Sequence, residues 1–138
     1  DDPIERASSR PDFLILAYPV IVMEQAMTHR GSMRNLIGDN PDPQLVEYYS
    51  SDKHVTKDTP PTFLFHTNED TGVVPEHSVQ FYLALRKAGV PAELHIYEKG
   101  RHGVGLGTDP KWTGGEPSVA NWSDRLADWL TRRGLAGK

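Results

Sequence analysis

The chain has no cysteine, which excludes disulfide staples, thiol nucleophiles and thiolate metal sites together and says nothing of the redox compartment. Nor has it a run of 18 apolar residues, the length a helix needs to cross a bilayer, so no membrane-spanning helix is expected. Basic clusters are missing too: 15 Lys and Arg lie scattered among 19 Asp and Glu, and a net charge of −4 argues against nucleic acid or an acidic membrane as partner. The six histidines never fall into HExxH or a comparable ligand spacing, so neither a metal nor a cofactor is expected. The opening "DDPIERASSRPDF" lacks an initiator Met, an apolar signal core and a cleavage site. It reads as a connecting loop that begins partway through a protein. With 138 residues the chain has the size of one domain and a modest core.

What is present alternates between strand and helix signals. "FLILAYPVIV" is nearly continuously apolar, which suits a strand buried on both faces; Pro19 ends regular pairing and sets the strand at Phe13 to Tyr18. From Glu24 to Asp58 the pattern is irregular and polar, with one short helix opening at Asp42 as N-cap and Pro43 at the first helical position. A second buried strand follows at Thr62 to Thr67. "VPEHSVQFYLALRKAGVP" is the clearest helix, started by Pro75 and Glu76 and stopped by Gly89 and Pro91, with Val79, Tyr82, Leu83 and Arg86 expected on one face. "AELHIYE" gives a third strand with Leu94 and Ile96 on one face. The last helix carries the stripe Val119, Trp122, Leu126, Trp129 and Leu130, then Arg132 and Arg133 at its negative end and Gly134 as cap. This order predicts an α/β fold with a parallel three-stranded sheet portion and flanking helices.

Ligands of open α/β sheets gather beyond the carboxyl ends of the strands. Two such ends carry chemistry: Asp70 in "HTNEDTGVVPEHS" and His102 in "EKGRHGVGLG". A carboxylate on one imidazole nitrogen fixes the tautomer and leaves the other nitrogen to take a proton from a nucleophile. Gly100 and Gly103 let the backbone turn tightly enough to aim the ring. Each feature has a plainer reading, since an Asp in such a loop is often a turn former. Glu69 is the adjacent alternative acid. His66 is expected to be a hydrogen-bonded core or site-wall histidine, His95 to pack under a helix, and His54 and His77 to be exposed.

Taken together, "RPDFLILAYPVI", the stretch from Thr59 to Gly107 and the closing tryptophans resemble the carboxyl-terminal half of α/β-hydrolase esterases. The resemblance is nearest to the acetyl-esterase and xylan-esterase branch, which is itself similar to dienelactone hydrolases and prolyl-oligopeptidase catalytic domains. The set H-T-x-x-D, Val-Pro, helix, "GVPAELHIY" and G-x-H-G carries it. The resemblance implies that Asp70 is the acid and His102 the base of a Ser-His-Asp triad. It also implies that residues 24–58, with "THRGSMRNLIGDNP", form a variable cap-like segment, and that the substrate is a small short-chain acyl ester, an acetylated carbohydrate included.

The nucleophile is what the pattern lacks. No serine of this chain stands in G-x-S-x-G, and no glycine-rich oxyanion loop precedes the acid. Ser32 in "RGSMR" has one flanking glycine and no strand before it. Two readings stay open: a carboxylesterase portion whose serine lies outside this chain, and a non-catalytic assembly or binding module on the same fold. On the first reading the Phe13 to Tyr18 strand is an apolar edge, without a charge or proline to discourage pairing. It is then expected to meet an upstream hydrolase half or a second copy of the chain.

Overall fold

A computed structural model of the chain describes residues 2–24 and 26–135. Its centre is β2, Thr62–Thr67, buried at every position and paired in parallel with β1, Leu14–Ala17, on one side and β3, Ala92–Tyr97, on the other. The register runs from Leu14–Thr62–Ala92 upward, so side chains in the same row point to the same face. Leu14, Leu16, Leu64, Ala92 and Leu94 meet α3, Glu76–Lys87, through Phe81 and Leu85. On the other face Phe63 and Phe65, with Phe13, Ala17 and Tyr97, meet Trp122, Leu126, Trp129 and Leu130 of α5, Trp122–Arg132. Trp129 stands edge-on to Phe13 and Phe63, and Trp122 stacks flat on Phe65 at 4.7 Å. Each fully buried side chain of this kind contributes about 1.5–3 kcal/mol. The predicted tryptophan stripe is therefore the element that closes this face.

Helix ends follow their sequence signals. Asp42 accepts a hydrogen bond from the Gln44 amide at 2.8 Å and Pro43 opens α2, Pro43–Tyr49. Beyond α3 the Val90 amide reaches back to the Leu85 carbonyl, and beyond α5 the Leu135 amide reaches Leu130, each across a left-handed glycine. The remaining elements are a 3-10 turn at Ser51–His54, the one-turn α4, Pro110–Thr113, and a 3-10 turn at Pro117–Asn121 leading into α5. Among the described residues no helix is long and apolar enough to cross a membrane.

Four sequence expectations need correction. The first strand is shorter than Phe13 to Tyr18 and not buried on both faces: Ile15 is 39% exposed because no described strand lies beyond β1. On α3 the buried face is His77, Ser78, Phe81 and Leu85, one step round from the expected Val79, Tyr82, Leu83 and Arg86, and Leu83 is exposed. His77 is accordingly buried rather than exposed. Its Nδ1 accepts from the Ile21 and Val22 amides at 3.2 and 3.0 Å, two donors that no strand partner takes up. An unexpected helix, α1, Arg30–Ile37, fills the polar segment; His29 caps it through Nδ1, which accepts from the Ser32 amide, and Met33 is its buried residue.

Candidate active site

The loop that leaves β2 turns on Asp70 itself. Oδ1 accepts from the amides of Gly72 at 3.0 Å and Val73 at 2.8 Å, while the Asp70 amide reaches the Thr67 carbonyl. A fully buried carboxylate is tolerated only with such partners. Oδ2 is left for the loop beyond β3, where Nδ1 of His102 donates to it at 2.8 Å. Asp70 is buried and the His102 side chain is 44% exposed, so the pair has one face in the protein and one toward solvent. With Nδ1 committed to Asp70, Nε2 is the nitrogen available to a reacting group. The turn that aims His102 needs Gly100, whose φ is 113°; a Cβ there would stand 3.0 Å from Thr67 and 3.1 Å from Val104.

Glu69 does not compete for the histidine. It binds Lys99 Nζ at 2.8 Å and accepts from the Gly100 amide at 3.3 Å, so it fastens the Asp70 loop to the His102 loop. The Lys99 hydrogen bond, then the Gly100 amide, holds its carboxyl below the usual range. His66 is fully buried behind Asp70, as a site-wall histidine should be. Its Nε2 donates to the Val73 carbonyl at 2.7 Å and lies 3.4 Å from Asp70 Oδ2; its Nδ1 accepts from Ser78 Oγ at 2.8 Å. Burial pushes its pKa down against the opposing pull of that carbonyl, so the ring is neutral with its proton on Nε2. His77 is likewise pushed down by burial.

His95 and His54 stand apart from the pair. His95 lies against the Phe63 ring and hydrogen-bonds Glu93, which binds Arg132 of α5; His54 is exposed. Four of the eight serine hydroxyls are engaged elsewhere: Ser32 with His29, Ser50 with the Val46 carbonyl, Ser78 with His66, Ser123 with the Ala120 carbonyl. A cleft of about 410 Å³ lined by Arg30, Met33, Arg34 and Asp39 belongs to α1 and includes neither Asp70 nor His102.

One residue at the site carried no sequence signal read as functional. Tyr18, directly after β1, is the only non-glycine residue with positive φ among those described, at 40°. Such a backbone costs a bulky residue about 1–3 kcal/mol. Its ring centroid lies 5.1 Å from that of His102, edge to face. The signal available was its place at a strand's carboxyl end, immediately before Pro19.

Comparison with known proteins bears on the family and the fold. The model of the prolyl oligopeptidase family matches residues 6–132. The crystal structure of an acetyl ester-xyloside bifunctional hydrolase from Caldicellulosiruptor lactoaceticus is 46% identical, with a TM-score of 0.88 over 99% of this chain and 48% of that one. Endo-1,4-beta-xylanase B of Butyrivibrio fibrisolvens is 40% identical over 115 residues, 81% of this chain and 18% of the relative. The acetylxylan esterase of Xylanibacter ruminicola is 41% identical over 103 residues, 72% of this chain and 22% of the relative. The chain thus spans about half of the solved structure and under a quarter of the two curated relatives. It belongs to the prolyl oligopeptidase family and is folded as part of an α/β hydrolase.

Proposed function

We propose that this chain supplies the acid and the base of a serine carboxylesterase whose nucleophile lies outside residues 1–138. The observation that carries the reading is the 2.8 Å bond between Asp70 and His102 Nδ1 at adjacent strand ends. A serine of the remaining part attacks the ester carbonyl while His102 Nε2 takes its proton. The same nitrogen then returns the proton to the leaving alkoxide, and the alcohol departs. Water attacks the acyl-serine in the second half-reaction, giving its proton to Nε2, and the acid is released as the serine recovers its hydrogen. Asp70 keeps the ring in the Nδ1–H tautomer and stabilises the imidazolium formed in each half.

Relatives named for both xylanase and acetyl-ester activities raise the question of which bond is cut. Glycosidases place two carboxyl groups on either side of the scissile bond. Here a single carboxylate is committed to an imidazole, and the neighbouring Glu69 is bound to Lys99, which supports ester cleavage. The substrate we infer is a small acyl ester, and the names of the relatives favour an acetyl group on a xylose-based carbohydrate. The missing serine favours one other reading, a binding or assembly module that kept the fold. Fluorophosphonate labelling of the whole protein, with hydrolysis of an acetyl ester before and after His102→Ala, separates the two. The enzyme reading predicts labelling and a loss of about 10³-fold or more in kcat; no labelling and no hydrolysis favour the module.

The partner we infer for β1 is a strand of the companion half, with a second copy of this chain as the alternative. Ile15 is 39% exposed beside a strand edge that, among the described residues, is paired only on its β2 side.

A further inference from the structure

We propose that Tyr18 is a positioning residue for His102, holding the imidazole on the Asp70 bond from the β1 side. The inference rests on reading His102 as the base. In a regular strand side chains alternate, so Tyr18 should follow Leu14 and Leu16 toward α3. It packs instead against Phe65, within the aromatic cluster on the α5 face. The positive φ of 40° breaks the alternation and brings the ring across to His102.

Pairing persists up to this point, because the Tyr18 amide still donates to the Phe65 carbonyl at 2.7 Å. Pro19 then removes the next donor and disfavours the right-handed helical region for Tyr18. The ring ends up between two aromatic neighbours, 5.8 Å from Phe65 and 5.1 Å from His102, both edge to face. Phe65 is itself braced by the flat stack with Trp122. His102 needs this support. One hydrogen bond fixes its Nδ1 but leaves a half-exposed ring free to tilt about that bond, and a tilt displaces Nε2, the atom that meets the nucleophile. A strained backbone that serves only packing would relax toward the α3 face; here the strain coincides with contact to the base.

The test uses the whole protein, with 4-nitrophenyl acetate as substrate and proton NMR of the low-field His102 Nδ1–H signal. Tyr18→Phe keeps the ring and should leave kcat within about twofold. Tyr18→Asn keeps a backbone that tolerates positive φ but removes the ring. It should lower kcat about tenfold or more with little change in KM, and broaden the Nδ1–H signal by faster exchange. Should the Asn variant not fold, Tyr18→Leu, which keeps apolar bulk without an aromatic ring, carries the same expectation. The proposal is overturned if the ring-less variants keep wild-type kcat and a sharp signal, or if Tyr18→Phe is damaged as much as they are. His102→Ala run alongside tells the failures apart. Full activity in that variant removes the base assignment and this inference with it, whereas loss there beside normal Tyr18 variants removes this inference alone.

Discussion

Replacing Asp70 by Asn should disable the histidine through its tautomer, and the surroundings of the carboxylate dictate why. The new amide has two orientations. Its NH2 group cannot sit where Oδ1 was, because that position already receives the Gly72 and Val73 amides at 3.0 and 2.8 Å. The oxygen must stay there, and the NH2 group is forced to face His102. It then donates to Nδ1, so the imidazole proton moves to Nε2, which can no longer accept one from a nucleophile. Both loop bonds to Oδ1 survive, and the loss in stability should stay within about 1–3 kcal/mol. The loss in kcat should reach about 10³–10⁴-fold, equivalent to about 4–5.5 kcal/mol of transition-state stabilisation. Ester hydrolysis by the whole protein measures the rate, nitrogen NMR of His102 reads the tautomer, and urea unfolding reads the fold. A variant that hydrolyses within tenfold of wild type, or that keeps the proton on Nδ1, would refute this reasoning.

Other outcomes follow from the same structure. His66 and His77 have pKa values lowered by burial, so below the ordinary histidine pKa of about 6.5 the unfolded chain binds protons that the folded chain refuses. Stability should be full above that pH and fall on acidification by up to about 1.4 kcal/mol per pH unit for each histidine; equal urea midpoints at about pH 7.5 and 5.5 would contradict this. Trp129→Ala removes the fully buried ring between Phe13 and Phe63 and should cost about 3–5 kcal/mol in urea unfolding, where a loss under about 1 kcal/mol would show that α5 does not close that face. Ile15→Lys puts a charge on the β1 edge and should shift the isolated chain toward monomer in sedimentation; a wild-type chain already monomeric at micromolar concentration would dismiss the pairing idea.

Some of this was legible because burial writes itself into sequence. "TFLFHT" is apolar without alternation since β2 has a layer on each side, and the tryptophan stripe of α5 repeats at helical spacing since one face meets the sheet. Asp70 and His102 were legible as residues of glycine-containing loops at strand ends, and the structure brings them together. What stayed hidden depends on contacts between distant segments. His77 looks like an exposed helix-start residue until the strandless amides of Ile21 and Val22 are seen to need an acceptor. α1 is hidden because a histidine seldom serves as an N-cap, where Ser, Thr, Asp and Asn lead. Tyr18 reads as the last residue of the first strand, and no periodicity rule announces that a residue leaves its own alternation.

The parallel register of the sheet acts as a ruler for the chemistry at its upper end. Tyr18, Asp70 and His102 come one from each of three adjacent strands, and each is carried at a fixed offset from a paired row: Ala17 opposite Phe65, and Thr67 opposite Tyr97. Slipping β3 by two residues would keep its side chains on their proper faces yet slide the His102 loop by about 6.6 Å, beyond reach of Asp70. A core substitution far down the sheet can therefore silence the site without touching it, provided it lets a neighbouring row become the better fit. Variation in Phe63, Leu64 or Leu94 is thus constrained twice, once by the packing each residue makes and once by the alignment it preserves two turns of the pleat away.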